Sequence, residues 1–455
     1  MLPNPSALEA EVRAVGIAAI LGTLGYALSL ALFEPLHARL IGAIIFMVAL
    51  WTNEGLPLGV VSLLPLILFP ALNILPTDSV SENYAKSIIF LFLGGFLLAI
   101  AVEKTGLHQV IAGRLLSVFP NTPRGIIFSL ALTSAALSSF LSNTTTALLL
   151  LPIGLFLTQD TALKLRFVLA ISYGASIGGI VTPIGTPPNL ILLGFVEEHA
   201  LPTVSFFNWM IMTLPLAVLM LLITGFVLSF GIEQGKKVQE LDQNCVLSTN
   251  QRKLAWLLLA LITLLLVNSP IKPWYPGLGL NEKGILLFFG LLMFAPGFRF
   301  LEWSDSKKIP FEIIFLFGAG FSIAAAFSAT GLAGRIADSL MLLQGLPTLA
   351  IILIVASLVT FTTEITSNTA LISIVLPIIY ALASQAGMET GLIMMVATIC
   401  ASYAFMLPIA TPPNAIAMSS GAVKVKQMAS YGLLFNLLGI TLITLTALFY
   451  WRDFY

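Results

Sequence analysis

The chain has 455 residues, 58% of them hydrophobic and only 9% charged, with a mean hydropathy of +1.01. That composition lies far outside the range of a soluble globular protein and predicts an all-α polytopic membrane protein. The 21 basic and 21 acidic residues cancel, which excludes the basic balance of a nucleic-acid binder. Cys245 and Cys400 form neither a metal set nor a disulfide framework, and His37, His108 and His199 are too scattered for a transition-metal site.

Apolar runs long enough for the ~20 residues that cross a bilayer fall at 12–33, 37–52, 56–75 and 86–105. Glu9, Glu11 and Arg13 precede the first run, which lacks the basic start of a cleaved signal and reads as a retained span. An amphipathic arm (106–120) leads to 124–158, a long apolar run interrupted halfway by Ser142-Asn143-Thr144. A continuous helix of that length would overshoot a hydrocarbon core of ~30 Å at ~1.5 Å per residue, so two half-length helices folded back on one side, a re-entrant hairpin, are predicted. The next run, 163–198, is broken by Thr182-Pro183 and Gly185-Thr186-Pro187-Pro188, because proline cannot continue the helix ladder. A span at 209–231 and a hydrophilic linker at 232–252 follow. The rest repeats the scheme: spans at 253–270, 283–297 and 310–330, an arm at 331–346, a hairpin at 348–384, a broken span at 391–420 and a last span at 430–451. The expectation is about eleven crossings and two hairpins.

The two halves carry the same words at a fixed offset of 225 positions. Ser142-Asn143-Thr144 returns as Ser367-Asn368-Thr369, and Thr186-Pro187-Pro188-Asn189 as Thr411-Pro412-Pro413-Asn414. IIFLF at 88–92 returns at 313–317, and Thr105-Gly106-Leu107 returns as Thr330-Gly331-Leu332. Residues 37–231 and 253–455 are therefore read as two repeats, with 1–36 as a span outside them. Each repeat has five crossings, an odd number, so the copies are expected to be inverted. With the N-terminus inside, fifteen Lys and Arg fall on the cytoplasmic side, and Arg39, Lys86, Lys272, Lys283, Arg335 and Arg452 fall outside. That bias predicts a cytoplasmic N-terminus and linker, an external C-terminus, and a first hairpin opening from the cytoplasm.

Non-helical backbone persists at membrane depth only where protein or a watery cavity satisfies it, so four related breaks imply a cavity. Ser, Asn and Thr are strong N-cap residues and proline suits the first helical turn, so each polar knot is chemically fit to start a helix. Helix N-termini attract an anion; carbonyls at helix ends attract a small hard cation. Burying a doubly charged ligand costs tens of kcal/mol, of the order of the Born estimate, whereas each helix terminus returns about 0.3–2 kcal/mol. No Lys or Arg lies in any knot. A cation at ~4 Å contributes on the order of 4 kcal/mol per charge pair, so the countercharge must come from bound ions, which makes cation binding a condition of anion binding.

One Ser-Asn-Thr in an apolar stretch is a packing or capping device; the paired copies beside paired Thr-Pro-Pro-Asn knots are the signal. Asn143-Thr144-Thr145 matches a glycosylation sequon but lies inside a membrane segment. Glu364 reads either as an acceptor for the hairpin's own N–H groups or as a group tuning cation binding. Glu54 reads as an interfacial or scaffold contact, and Gly94-Gly95 and Gly318-Ala319-Gly320 as sites of close helix packing. An intramembrane enzyme would need a nucleophile with a base, or metal ligands, beside the knots, and none accompanies them.

At these residues the chain resembles the divalent anion:sodium symporters, the sodium-coupled di- and tricarboxylate and sulfate transporters. The likeness includes both Ser-Asn-Thr tips, Thr363-Glu364-Ile365-Thr366 before the second tip, and both Thr-Pro-Pro-Asn loops. It implies a homodimer in the plasma membrane, each protomer with a static scaffold and a transport domain that moves like an elevator. It also implies Na+ as the coupling ion, with a first cation site at Ser138, Ser142, Asn143 and Gly185 and a second at Thr363, Thr366, Asn368 and Ala410. The substrate, most readily a C4-dicarboxylate such as succinate or malate, would meet Asn143, Thr144, Asn368 and Thr369, with Thr186, Thr411 and Pro412 lining the pocket. Ala370-Leu371 departs from the pattern, since many relatives carry a threonine after the alanine; the departure bears on substrate choice. Two other readings stay open: a sodium-independent dicarboxylate exchanger, and a cation/proton or arsenite-type antiporter in which Glu364 carries a proton.

Overall fold

Proline and the N-cap residues cut the apolar chain where the repeated words fall. A computed structural model describes residues 5–53, 55–232, 247–270, 274–339 and 346–454. Glu54, Cys245 and most of the expected linker lie outside the described residues, which form α-helices and short 3-10 turns with no strand element among them.

The chain opens with α1 (Pro5–Ser29) and α2 (Pro35–Asn53), packed on each other. The expected span at 56–75 is instead two short helices, α3 (Leu58–Val61) and α4 (Pro65–Ala71). Pro57, Pro65 and Pro70 punctuate this stretch, and each removes a backbone donor. Then come α5 (Thr77–Glu82), α6 (Ser87–Thr105) and the arm α7 (Leu107–Leu116). The first hairpin is α8 (Pro123–Ser138) and α9 (Asn143–Phe156). Thr122 caps α8 by accepting from Gly125 N at 3.1 Å, and Ser142 caps α9 by accepting from Thr145 N at 3.1 Å. The first broken run is α10 (Thr161–Gly179) and α11 (Pro187–Glu198), followed by α12 (Phe206–Ser229).

The second half runs through α13 (Thr249–Asn268), α14 (Glu282–Leu292), α15 (Phe311–Thr330) and the arm α16 (Leu332–Ser339). Its hairpin is α17 (Thr348–Thr363) and α18 (Asn368–Gln385), its broken run α19 (Thr390–Ser402) and α20 (Pro412–Ser419), and its last helix α21 (Val425–Phe449). The expected span at 283–297 is shorter than predicted, because α14 gives way to a turn through Ala295-Pro296-Gly297, where Gly297 has a φ of +93°. In the second hairpin α18 has 18 residues, about 27 Å, so that limb is nearer full than half length.

Eight helical stretches among the described residues are long and apolar enough to cross a membrane. The starts of α7, α8, α9 and α11 recur 225 positions later as the starts of α16, α17, α18 and α20. Both arms begin at a left-handed glycine, Gly106 and Gly331, with φ of 70° and 72°. Lys86 pairs with Glu198 at 2.6 Å and Lys283 with Glu197, so both gather at the end of α11. Lys104 pairs with Asp305 at 2.7 Å and Lys308 with Glu103 at 3.7 Å. These two groupings are the ones that the charge count assigns to opposite sides.

Two glycines close the seam between α6 and α14. A Cβ on Gly94 would lie 2.4 Å from the Leu286 carbonyl oxygen, and one on Gly290 would lie 2.7 Å from Gly94 Cα. The helices therefore touch backbone to backbone, as the Gly94-Gly95 pair predicts.

Candidate functional site

The four repeated knots meet. Helices α9, α11, α18 and α20 begin at Asn143, Pro187, Asn368 and Pro412, and all four N-termini open into one cavity of about 840 Å³. Ser142, Asn143 and Thr144 line it, with Gly185, Thr186 and Pro187, Ser367, Asn368 and Thr369, and Ala410, Thr411 and Pro412. Apolar walls come from Trp51, Phe92, Phe96, Phe140, Ile313 and Phe317, and Glu11 is the one charged residue of the lining. Orphan N–H groups of four helix ends thus face a cavity whose lining contains no Lys or Arg.

Three of the predicted cation-site residues stand behind this lining. Ser138 is fully buried, and its hydroxyl donates to Asn143 Oδ1 at 2.5 Å, so it reaches the cavity through that amide. Thr363, its counterpart, turns its hydroxyl to the Ala401 carbonyl at 3.1 Å, and Thr366 donates to the Thr362 carbonyl at 2.9 Å. Asn368 Oδ1 instead accepts from the backbone N–H of Thr369 at 2.8 Å and from its hydroxyl at 3.1 Å. The two Ser-Asn-Thr tips share a helix start and differ in side-chain bonding.

Asn189 and Asn414, present in the repeated motif but not among the predicted ligands, hold the breaks open. The Asn189 amide donates to the carbonyls of Gly179 and Thr182 at 3.1 and 2.9 Å. The Asn414 amide donates to those of Ala404 and Leu407, both at 3.0 Å. These are matched positions in the two halves, and each side chain bonds two carbonyls at the interruption, the second of which (Thr182, Leu407) also accepts from the backbone N–H of Gly185 or Ala410.

Glu364 is 3% exposed and is not part of the lining. Its carboxylate accepts from the backbone N–H groups of Met406 and Leu407, each at 2.9 Å, and from the Asn436 amide at 2.6 Å. The expected acceptor role thus serves the second broken run rather than the hairpin's own N–H groups. In the first break the anchors are donors: Trp209 Nε1 to the Ile180 carbonyl at 2.9 Å and the Thr213 hydroxyl to the Val181 carbonyl at 3.1 Å. A lone Asn or Trp in α21 or α12 gave no local sequence signal for these contacts, which join distant parts of the chain.

Membrane-crossing helices around a cavity where four interrupted helix ends meet between apolar walls define a polytopic membrane transporter. A family model described as CitMHS, citrate transporter, matches residues 45–401. The sodium-dependent dicarboxylate transporter SdcS of Staphylococcus saprophyticus is 32% identical over 471 residues, covering 94% of this chain and 90% of the relative. The SdcS of Staphylococcus aureus is 33% identical over 467 residues, with the same two shares. The chain belongs to this citrate transporter family, a family of transporters and not of enzymes, in line with its resemblance to the divalent anion:sodium symporters. The fold is similar to that of the YdaH transporter of Alcanivorax borkumensis (TM-score 0.58, 17% identity, 83% of this chain and 88% of that one). It is also similar to Neisseria gonorrhoeae MtrF (TM-score 0.58, 16% identity, 99% and 95%).

Proposed function

We propose that the protein is a sodium-coupled symporter of a divalent anion, with a C4-dicarboxylate such as succinate or malate as substrate. The observation that carries this reading is the convergence of four helix N-termini on one cavity without a cationic side chain in its lining. Such a cavity favours a dianion but lacks the charge to hold it, and co-bound sodium ions supply that charge. The names of the relatives, sodium-dependent dicarboxylate transporters, support the pairing.

Ser142, Asn143 and Gly185, with Ser138 behind them, would hold one sodium ion, and Asn368 and Ala410, with Thr363 and Thr366 behind them, a second. Asn143, Thr144, Asn368 and Thr369 would meet the carboxylates, and Thr186, Thr411 and Pro412 would flank them. Each asparagine serves ion and substrate together, so the two would bind cooperatively. The proposal extends to two inverted repeats with re-entrant hairpins at about 124–158 and 348–384, and to a homodimer in the plasma membrane with a cytoplasmic N-terminus. In it the hairpins and broken runs move as an elevator against the scaffold. The 225-residue recurrence of helix starts supports the repeats. Against a proton-carrying Glu364, both of its oxygens already accept hydrogen bonds away from the cavity.

The test is uptake by purified protein in liposomes, with a panel of dicarboxylates, citrate and sulfate under inward sodium, lithium or choline gradients. Accumulation of a C4-dicarboxylate only with sodium is expected. Accumulation in choline would overturn the coupling.

A further inference from the structure

Three consecutive backbone N–H groups of the second break are gripped from outside. Asn436 Oδ1 accepts from Phe405 N at 3.2 Å, Glu364 Oε1 from Met406 N at 2.9 Å and Glu364 Oε2 from Leu407 N at 2.9 Å. The Asn436 amide closes the circuit by donating to Glu364 Oε1 at 2.6 Å. Asn436 is fully buried in α21. The grip is passed on by the Leu407 carbonyl, which accepts from Ala410 N at 3.2 Å and from the Asn414 amide at 3.0 Å. Ala410 and Thr411, at the end of this relay, line the cavity.

Among the described residues the first break has no such grip. Ser139 stands where Glu364 would be, and its hydroxyl donates to the carbonyls of Ala135 and Gly178. In α12, the helix that packs beside the first break, the residues that reach that break are Trp209 and Thr213, and both donate to carbonyls. Both breaks are held by their carbonyls, the first from Trp209 and Thr213 and the second from the Tyr173 hydroxyl, which donates to the Phe405 carbonyl at 3.1 Å; the second is held by three of its amides as well. Ala410 lines the cavity, as Gly185 does in the first break, but only the second break has the amides ahead of that position tied to a carboxylate.

We infer that Asn436 is a positioning residue for the second cation site alone, acting through Glu364 on the backbone from Phe405 to Ala410. This rests on the sodium-symport reading above. Loss of Asn436 frees one amide and leaves Glu364 with a single donor fewer, so the break relaxes and the second ion binds more weakly. The first ion, held by the Asn143 tip and Gly185, is left as it was.

The experiment measures the sodium dependence of dicarboxylate uptake in proteoliposomes, together with equilibrium binding of radioactive sodium to the purified protein. For Asn436→Ala the sodium concentration for half-saturation should rise about tenfold, the size expected from losing a hydrogen bond to a charged group. The Hill slope for sodium should fall by about one ion, with the maximal rate at saturating sodium within about twofold. Asn436→Ser, which keeps one donor and one acceptor, should restore most of the sodium affinity. If Asn436→Ala does not reach the membrane, Glu364→Gln carries the same test, because its amide NH2 faces a backbone N–H in place of an acceptor. A variant with reduced protein level or maximal rate but unchanged sodium half-saturation, slope and binding would overturn the inference and leave the symport reading intact. Wild-type uptake and binding indifferent to sodium would overturn both.

Discussion

Ser172 in α10 donates a 2.7 Å hydrogen bond to Oδ1 of Asn414 in α20, tying a helix of the first half of the chain to one of the second. Asn414 thereby holds three buried groups: the Ser172 hydroxyl and the carbonyls of Ala404 and Leu407. Asn189 holds only two, since its own Oδ1 is buried without a partner. Each buried polar group stripped of its partner costs about 1–3 kcal/mol. Asn414→Ala should therefore destabilise the protein more than Asn189→Ala, by about 1 kcal/mol or more. Thermal unfolding of the purified variants in one detergent checks this; equal midpoints would contradict it.

The missing partner of Asn189 has an address. The position 225 residues after Ser172 is Ala397, fully buried in α19, and α19 packs against α11, which carries Asn189. If the halves are true copies, Ala397→Ser brings a hydroxyl to Asn189 Oδ1 and stabilises the fold by about 0.5–1.5 kcal/mol. A lower unfolding midpoint for Ala397→Ser would mean that the two breaks do not superpose there.

Asn143 and Asn368 each start a hairpin helix at the cavity. Replacing either with alanine should weaken sodium and dicarboxylate binding together, by about tenfold or more in each half-saturation constant, because in the proposed site one amide serves both ligands. Loss of substrate affinity with intact sodium affinity would break the proposed sharing. Isothermal binding or uptake titrations at several sodium concentrations make the distinction.

Asp305 lies in the turn between α14 and α15, outside the membrane-crossing helices. Its carboxylate accepts from the backbone N–H of Glu302 at 2.7 Å and from Lys104 at 2.7 Å, and these contacts hold it below the usual carboxylate range. A depressed folded-state value stabilises the protein above the ordinary pKa of ~3.9, and the contribution is lost as pH falls through the folded value. Asp305→Asn should thus lower the unfolding midpoint at neutral pH, and the gap to wild type should shrink below about pH 4. A gap that is constant across that range would point to a contact that does not depend on charge.

Much of this architecture is legible in the chain because the repeat is exact in position: Ser142 and Ser367 announce helix starts, and Pro187 and Pro412 announce two more. Hydropathy misjudges 56–75, where apolar side chains conceal prolines that cut the helix, and 283–297, where Pro296-Gly297 ends it early. Motif matching brings Ser138, Thr363 and Thr366 to the neighbourhood of the cavity but is blind to side-chain direction, and their hydroxyls point to an amide oxygen or to helix carbonyls. Asn436 and Trp209 were hidden for another reason. Their partners lie some thirty or more positions away or in another helix, and a single polar residue in an apolar span does not say which backbone it will meet.

The bare contact of Gly94 with Gly290 has a mechanical meaning. With no side chain between them, α6 and α14 mesh at one depth only, and slipping α14 by a turn, about 5.4 Å, would drive the Leu286 side chain into the Gly94 main chain, which leaves no room for it. In the proposed transport cycle, α6 and α14 would therefore keep their mutual register, and any sliding would run along other interfaces.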